Sequence, residues 1–166
     1  LKITAVSGEG FGIGRYSDET VRDFVVFVAS AAVGDVVNAL VLKVLKNYAF
    51  AKIISFIEQS PDRIKKTCSS FGKCGSCCYR HIGYPAELKY KTEHVRDVFS
   101  KNYPDCPVGI EEAMPSVKID GYRNKAQFPI SADGKCGYYA INSHRVIPCD
   151  ECPLTPPVFF EITKIT

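Results

Sequence analysis

Four cysteines fall within eleven residues in the stretch TCSSFGKCGSCCYRHIGY, residues 67–84: Cys68, Cys74, Cys77 and Cys78. Four more stand at Cys106, Cys136, Cys149 and Cys152. Thiolates are soft ligands that suit zinc and iron–sulfur clusters alike, and three on one loop with a distant fourth enclose either. The Cys-x5-Cys-x2-Cys spacing of Cys68, Cys74 and Cys77 therefore points to ligation, with zinc and a four-iron cluster both open. A disulfide framework is the competing reading, and it needs an oxidising compartment. The N-terminus LKITAVSGEG has neither the basic start nor the apolar core of a secretory signal, and no apolar run reaches membrane-spanning length. The expectation is a soluble, cytoplasmic, non-membrane protein whose reduced thiols bind metal.

The residues between the sulfurs fit that use. Gly72 and Gly75 let the loop turn so that backbone amides face an anionic centre. Cys78 cannot share a polyhedron with its neighbour Cys77 and is expected to be a packed thiol. Cys149 and Cys152 form a second Cys-x-x-Cys pair, either of which could supply a fourth ligand. The net charge is only +3, yet residues 63–91 carry seven basic side chains (Arg63, Lys65, Lys66, Lys73, Arg80, Lys89, Lys91) against one acid. Such a run attracts a polyanion, offsets ligated sulfur, or simply meets solvent.

The elements that must position these groups differ between the two halves. Segments 2–6, 24–28, 35–44 and 50–58 are rich in Val, Ile and Phe and are separated by turn residues, which predicts short strands of a small β-barrel. The glycine run GEGFGIG, residues 8–14, fails the dinucleotide pattern because Ile13 or Arg15 holds the sixth position. It reads instead as a β segment that bends or approaches another strand closely. Phe11 and Tyr16 are then core aromatics or stacking platforms for bases.

Further along, Pro85 opens a helix over 85–102 whose stripe Leu88, Val95, Val98 and Phe99 should face the core. Segments 121–131 and 136–146, joined by Ala132-Asp133-Gly134-Lys135, read as a hairpin in which Arg123, Lys125 and Gln127 share one face. The fold class is thus a β-barrel followed by a small α+β domain.

The Cys-x5-Cys-Gly-x-Cys-x3-His motif, the preceding SPDRI, and the later GYRNKAQFPI and HRVIPCDECPL together resemble bacterial 23S rRNA (uracil-5-)-methyltransferases of the RumA/TrmA type, over nearly the whole chain. The resemblance implies that residues 1–58 are a TRAM domain, an OB-like RNA-binding barrel, and that residues 59–166 are a central domain holding a 4Fe-4S cluster. Carried over residue by residue, Cys68, Cys74, Cys77 and Cys152 are the implied ligands, and Cys149 falls off the motif. On an RNA-binding reading, Arg123 and Lys125 of the expected strand, followed by Lys73 and Arg80 on the cysteine loop, are the candidate phosphate contacts. The motif departs from the family in Ser76, where glycine is usual, and in Arg80 before His81; His81 is assigned a structural role.

Family members continue into a Rossmann-like domain that binds S-adenosylmethionine and carries the cysteine nucleophile. Neither its glycine loop nor its nucleophile motif occurs in these 166 residues, so no cysteine here is assigned as catalytic. The implied partners are RNA, foremost 23S rRNA, and a catalytic domain in the same polypeptide or in trans. A free-standing RNA-binding module and a zinc-stabilised interaction domain are the alternatives.

Overall fold

The computed structural model describes residues 1–65 and 68–163; Lys66 of the basic run lies outside the described residues. Strands β1 (Ile3–Val6), β2 (Gly12–Tyr16), β3 (Phe24–Ala29), β4 (Val36–Val44) and β5 (Tyr48–Glu58) form one sheet in the order β1-β2-β3-β5-β4. Neighbours run antiparallel except β3 and β5, which are parallel. An additional bridge between Lys2 and Val36 joins the two outer strands of that order, giving a curled, OB-like sheet.

Period-two alternation explains the interior. Val26 and Val28 of β3 and Ala49 and Ala51 of β5 point inward, where Ile3, Ala31 and Val37 meet them. The glycine run contributes β2 because a side chain there would not fit. A Cβ on Gly12 would stand 2.6 Å from the Cβ of Ala31 and 2.9 Å from Cγ2 of Ile3, both fully buried. Gly12→Val is expected to destabilise the barrel by about 1–3 kcal/mol through overpacking, read as a lower urea midpoint with unchanged slope.

Beyond β5 a buried carboxylate ties the chain down. Asp35 accepts hydrogen bonds from the amides of Ala32 (2.7 Å) and Ser60 (2.9 Å) and from Nε (2.8 Å) and Nη2 (2.6 Å) of Arg63. Helix α1 (Tyr84–Asn102) follows, with Pro85 in its first turn as expected. Its buried residues are Tyr90 and Thr92, whereas Val95, Val98 and Phe99 of the expected core stripe are about 40% exposed. Polar partners decide this: Tyr90 Oη donates to Asp62 at 2.6 Å, and Thr92 Oγ1 accepts from the amide of Ala113 at 2.9 Å.

Two compact units are each assembled from two stretches of the chain, where the sequence reading places a single boundary after Glu58. Residues 1–64 and 81–114 make one compact unit, and residues 65–80 and 115–166 make the other. The second contains strands β6 (Gly137–Tyr139) and β7 (Val146–Pro148) and the short helix α2 (Val158–Ile162). The turn at 132–134 forms, closed by Ser131 N–H donating to Lys135 O at 2.9 Å. The strand expected over 121–131 does not form: only Ile130 bridges to Cys136, and the amides of Gly121 and Arg123 donate instead to Pro153 O and Leu154 O. The second expected strand is likewise cut to β6 and β7. Among the described residues no helix is long and apolar enough to cross a membrane.

Candidate functional site

Within the second unit the loop 68–80 winds through successive turns and is pinned to the hairpin. Gly75 N–H donates to Tyr139 O (2.9 Å), Ile141 N–H donates to Lys73 O (3.2 Å), and Cys74 bridges to Ala140. Gly72 adopts φ +85°, a left-handed conformation that glycine enters without strain. The amide of Ser76 points at Cys74 Sγ at 3.4 Å, the amide-to-sulfur arrangement expected of this loop.

These contacts bring distant cysteines together. Cys74 and Cys152 both pack against the cluster of Tyr138, Cys149 and Phe160. The Cys77 thiol is pushed up to about 11, first by burial and then by the charge of Cys152, with Cys74 adding to it and the guanidiniums of Arg123 and Arg80 opposing it. Cys149 is likewise pushed up to about 11 by burial and feels Cys152, Cys68 and Cys74. Cys149 itself is buried and donates its thiol proton to Glu151 O at 2.8 Å. Cys78 and Cys106 are exposed, which corrects the expectation of a packed thiol at Cys78: its bond to Cys77 directs it away from the loop interior. No group of three or more His, Cys, Asp or Glu among the described residues converges closely enough to hold one metal ion.

One buried polar atom at this site was invisible in the sequence. Tyr138 is 7% exposed, and its Oη, from which no nitrogen or oxygen accepts, lies against the sulfur of Cys152. Burial and the charge of Cys152 push its pKa to about 12. Beside it an open cleft of about 360 Å³ is lined by Gly75, Ser76, Gln127, Tyr138 and Asn142, among others.

The basic candidates have separate fates. Arg80 pairs with Asp120 at 2.7 Å, and Arg123 Nη2 donates to Ser76 O at 3.4 Å while lying within charge range of Cys77. Both guanidiniums therefore serve the cysteine loop. Arg123, Lys125 and Gln127 do not share a strand face, because no strand forms there. Lys73 and Lys125 are exposed. In the other unit Arg63 is committed to Asp35, and Lys91 and Lys89 pair with Glu87 and Glu93 on the helix.

On the first unit, Phe11, Phe27, Tyr48 and Phe50 form a cluster with ring centroids 5.5–6.4 Å apart. Phe27 pairs with Phe50 across β3 and β5, at positions whose chain neighbours point inward. The rings thus sit on the outer surface of the sheet. Alternation with Val26, Val28, Ala49 and Ala51 was the sequence signal that places them there.

Residues 1–54 match the TRAM domain. An uncharacterized RNA methyltransferase of Gloeobacter violaceus is 36% identical over 158 residues, covering 93% of this chain and 34% of the relative. One from Clostridium tetani is 33% identical over 168 residues, covering 99% of this chain and 35% of its own length. The chain is a homologue of these RNA methyltransferases. It spans about a third of the length of the curated relatives it matches, and the likeness agrees with the RumA/TrmA-type motifs. The fold of the chain is shared with the Pyrococcus abyssi tRNA (uracil-54, C5)-methyltransferase crystallised with S-adenosyl-L-homocysteine: TM-score 0.65, 23% identity, 98% of this chain and 34% of that one.

Proposed function

We propose that this chain is the RNA-holding portion of an S-adenosylmethionine-dependent rRNA uracil carbon-5 methyltransferase, with a TRAM barrel that grips RNA and a cysteine unit built around a 4Fe-4S cluster. The observation that carries the reading is the TRAM match joined, in one chain, to homology with RNA methyltransferases. Methyl donor and nucleophile belong, on this reading, to the further two thirds of length that the relatives have. The role of these residues is then to bind and orient RNA, since a pyrimidine must leave its stack before its ring carbons can be reached.

Cys68, Cys74, Cys77 and Cys152 would hold the cluster. Two features support the fit: Cys68, Cys74 and Cys77 stand on one hairpin-anchored loop, and Cys77 lies within charge range of both Cys74 and Cys152. Bound, the cluster would cross-link the loop to Cys152 and replace missing core. Arg80 and Arg123 would offset the anionic sulfur.

Anaerobically purified protein should show broad visible absorption with about four irons and four sulfides per chain; stoichiometric zinc without a visible band overturns the cluster. Filter binding to 23S rRNA fragments and to tRNA at several salt concentrations tests the RNA reading, and a preference for tRNA would move the substrate class. Lys125→Ala is expected to lower the salt slope by about 0.7–0.9 with folding unchanged. Arg123→Ala should instead loosen the cysteine loop. Equal slopes for Lys125→Ala and the unaltered chain would remove Lys125 from the interface.

A further inference from the structure

We propose that the cleft between the cysteine loop and the β6–β7 hairpin of the second unit holds one unpaired nucleobase of the RNA and reads it by hydrogen bonds from Ser76, Gln127 and Asn142. The inference rests on the RNA-binding reading above and adds a base-reading site to it.

Three stretches remote in sequence build the cleft. Gly75 and Ser76 come from the cysteine loop, Gln127 and Pro129 from the run before the hairpin, and Tyr139 and Asn142 from the hairpin itself. The backbone groups that join them are already spent. Gly75 N–H donates to Tyr139 O, Ile141 N–H to Lys73 O, and Ala140 N–H to Arg145 O, while Ala140 O accepts from Ser143 N–H. A Cβ on Gly75 would stand 3.4 Å from Tyr139 O and from Ile141 Cα, so loop and hairpin lie close together there. The volume of about 360 Å³ falls at the lower end of small-ligand sites.

What is left to bind a ligand is side chains. Ser76 Oγ and the carboxamides of Gln127 and Asn142 make no hydrogen bond to another described residue. A hydroxyl and two carboxamides each donate and accept, which suits the mixed donor and acceptor edge of a base. No charged side chain lines the cleft, so a lone phosphate or cation would find no counter-charge inside it. A wholly apolar ligand would leave all three polar groups unpaired.

Charge sits around the cleft instead. The stretches 73–76, 125–129 and 138–145 carry Lys73, Lys125 and Arg145, all exposed, and no acid. An uncharged polar cleft bordered by cations matches a nucleotide with its base inside and its phosphates outside. Bases in unpaired RNA are the ones whose edges are free to enter.

Uridylate, cytidylate and adenylate oligomers of about ten nucleotides, a length that one single-strand site covers, are compared by filter binding at several salt concentrations. Stacking and phosphate contact tolerate any base, whereas hydrogen-bond readout does not. One homopolymer is expected to bind about tenfold or more tighter than the weakest. Gln127→Ala combined with Asn142→Gly should bring the three within about twofold at unchanged salt slope. Glycine at 142 accepts the φ of +52° found there.

RNA binding whose base preference survives in the double variant overturns the cleft while leaving the RNA-binding reading intact, as does binding without base preference in the unaltered chain. No binding of any homopolymer or of rRNA fragments overturns the RNA-binding reading itself. Should the double variant prove unstable, near-ultraviolet cross-linking of a thiouridine-substituted oligomer to the unaltered chain decides. Adducts on residues 75–76 or 138–142 support the cleft, and adducts confined to other residues overturn it.

Discussion

Asp35→Ala is expected to cost the barrel about 3–5 kcal/mol, the loss found when one partner of a buried ion pair is removed. Asp35 is fully buried, and Arg63 is only 13% exposed. Alanine would strand the guanidinium and also orphan the amides of Ala32 and Ser60. Arg63 would retain Ser30 O at 2.8 Å and the face of Phe56, 4.5 Å from its Cζ. Those contacts offset little of a lost carboxylate with four hydrogen bonds. A small domain is stable by about 5–15 kcal/mol, so the variant should sit near the edge of folding. Amide exchange at Val26 and Val28 reports it without interference from the second unit; unchanged protection there would refute the role. The pH dependence has a definite sign. Burial raises the Asp35 carboxyl, but Arg63 and the two amides more than offset it, leaving it below the ordinary 3.8. Its stabilisation is therefore fully present above pH 3.8 and is lost as pH falls through the depressed value. Asp35→Asn should show that acid loss blunted, measured as urea midpoint against pH.

Neither this pair nor the helix face was legible along the chain, and for the same reason. Asp35 and Arg63 are 28 residues apart, and Tyr90 meets Asp62 over the same separation, so no periodicity reports them. Pattern reading placed Val95, Val98 and Phe99 inward because they are apolar; polar Thr92 and Tyr90 took the buried face because each found a partner. The barrel was legible where short local rules sufficed. Gly34 adopts φ +93° in the turn before β4, and glycines at 12 and 14 have side-chain positions already occupied by neighbours. The second unit was harder because its backbone bonds join remote segments: 121–123 pairs with 153–154, and the cysteine loop pairs with 139–141. A run such as YRNKAQFPI looks like a strand when its partner is not known. The cysteine spacing was readable, and so, through the family motif, was the choice of Cys152 over Cys149.

That choice yields the other large effect. Under the proposed cluster, Cys152→Ser is expected to abolish iron incorporation, whereas Cys149→Ser should retain about four irons per chain. The two thiols differ in their surroundings: Cys149 is buried and donates to Glu151 O, though it too lies within charge range of Cys68 and Cys74, while Cys152 is partly buried beside Tyr138 and within charge range of Cys77. Serine at 152 keeps the size but is a hard, weakly acidic ligand that iron–sulfur clusters seldom hold. The consequence reaches stability, because ligand binding to the native state alone is folding free energy. Among the described residues the buried members of the apolar cluster that holds Cys74 and Cys152 are Tyr138, Cys149 and Phe160, a small core that a bound cluster would reinforce. Cys152→Ser should therefore lose amide protection at Gly75, Tyr138 and Cys149, while Val26 and Val28 of the barrel keep theirs. Cys149→Ser should soften the same region by a smaller amount, about 1–3 kcal/mol, from a lost buried thiol alone. Full iron content in Cys152→Ser, together with loss in Cys149→Ser, would reverse the assignment and place the fourth ligand at Cys149.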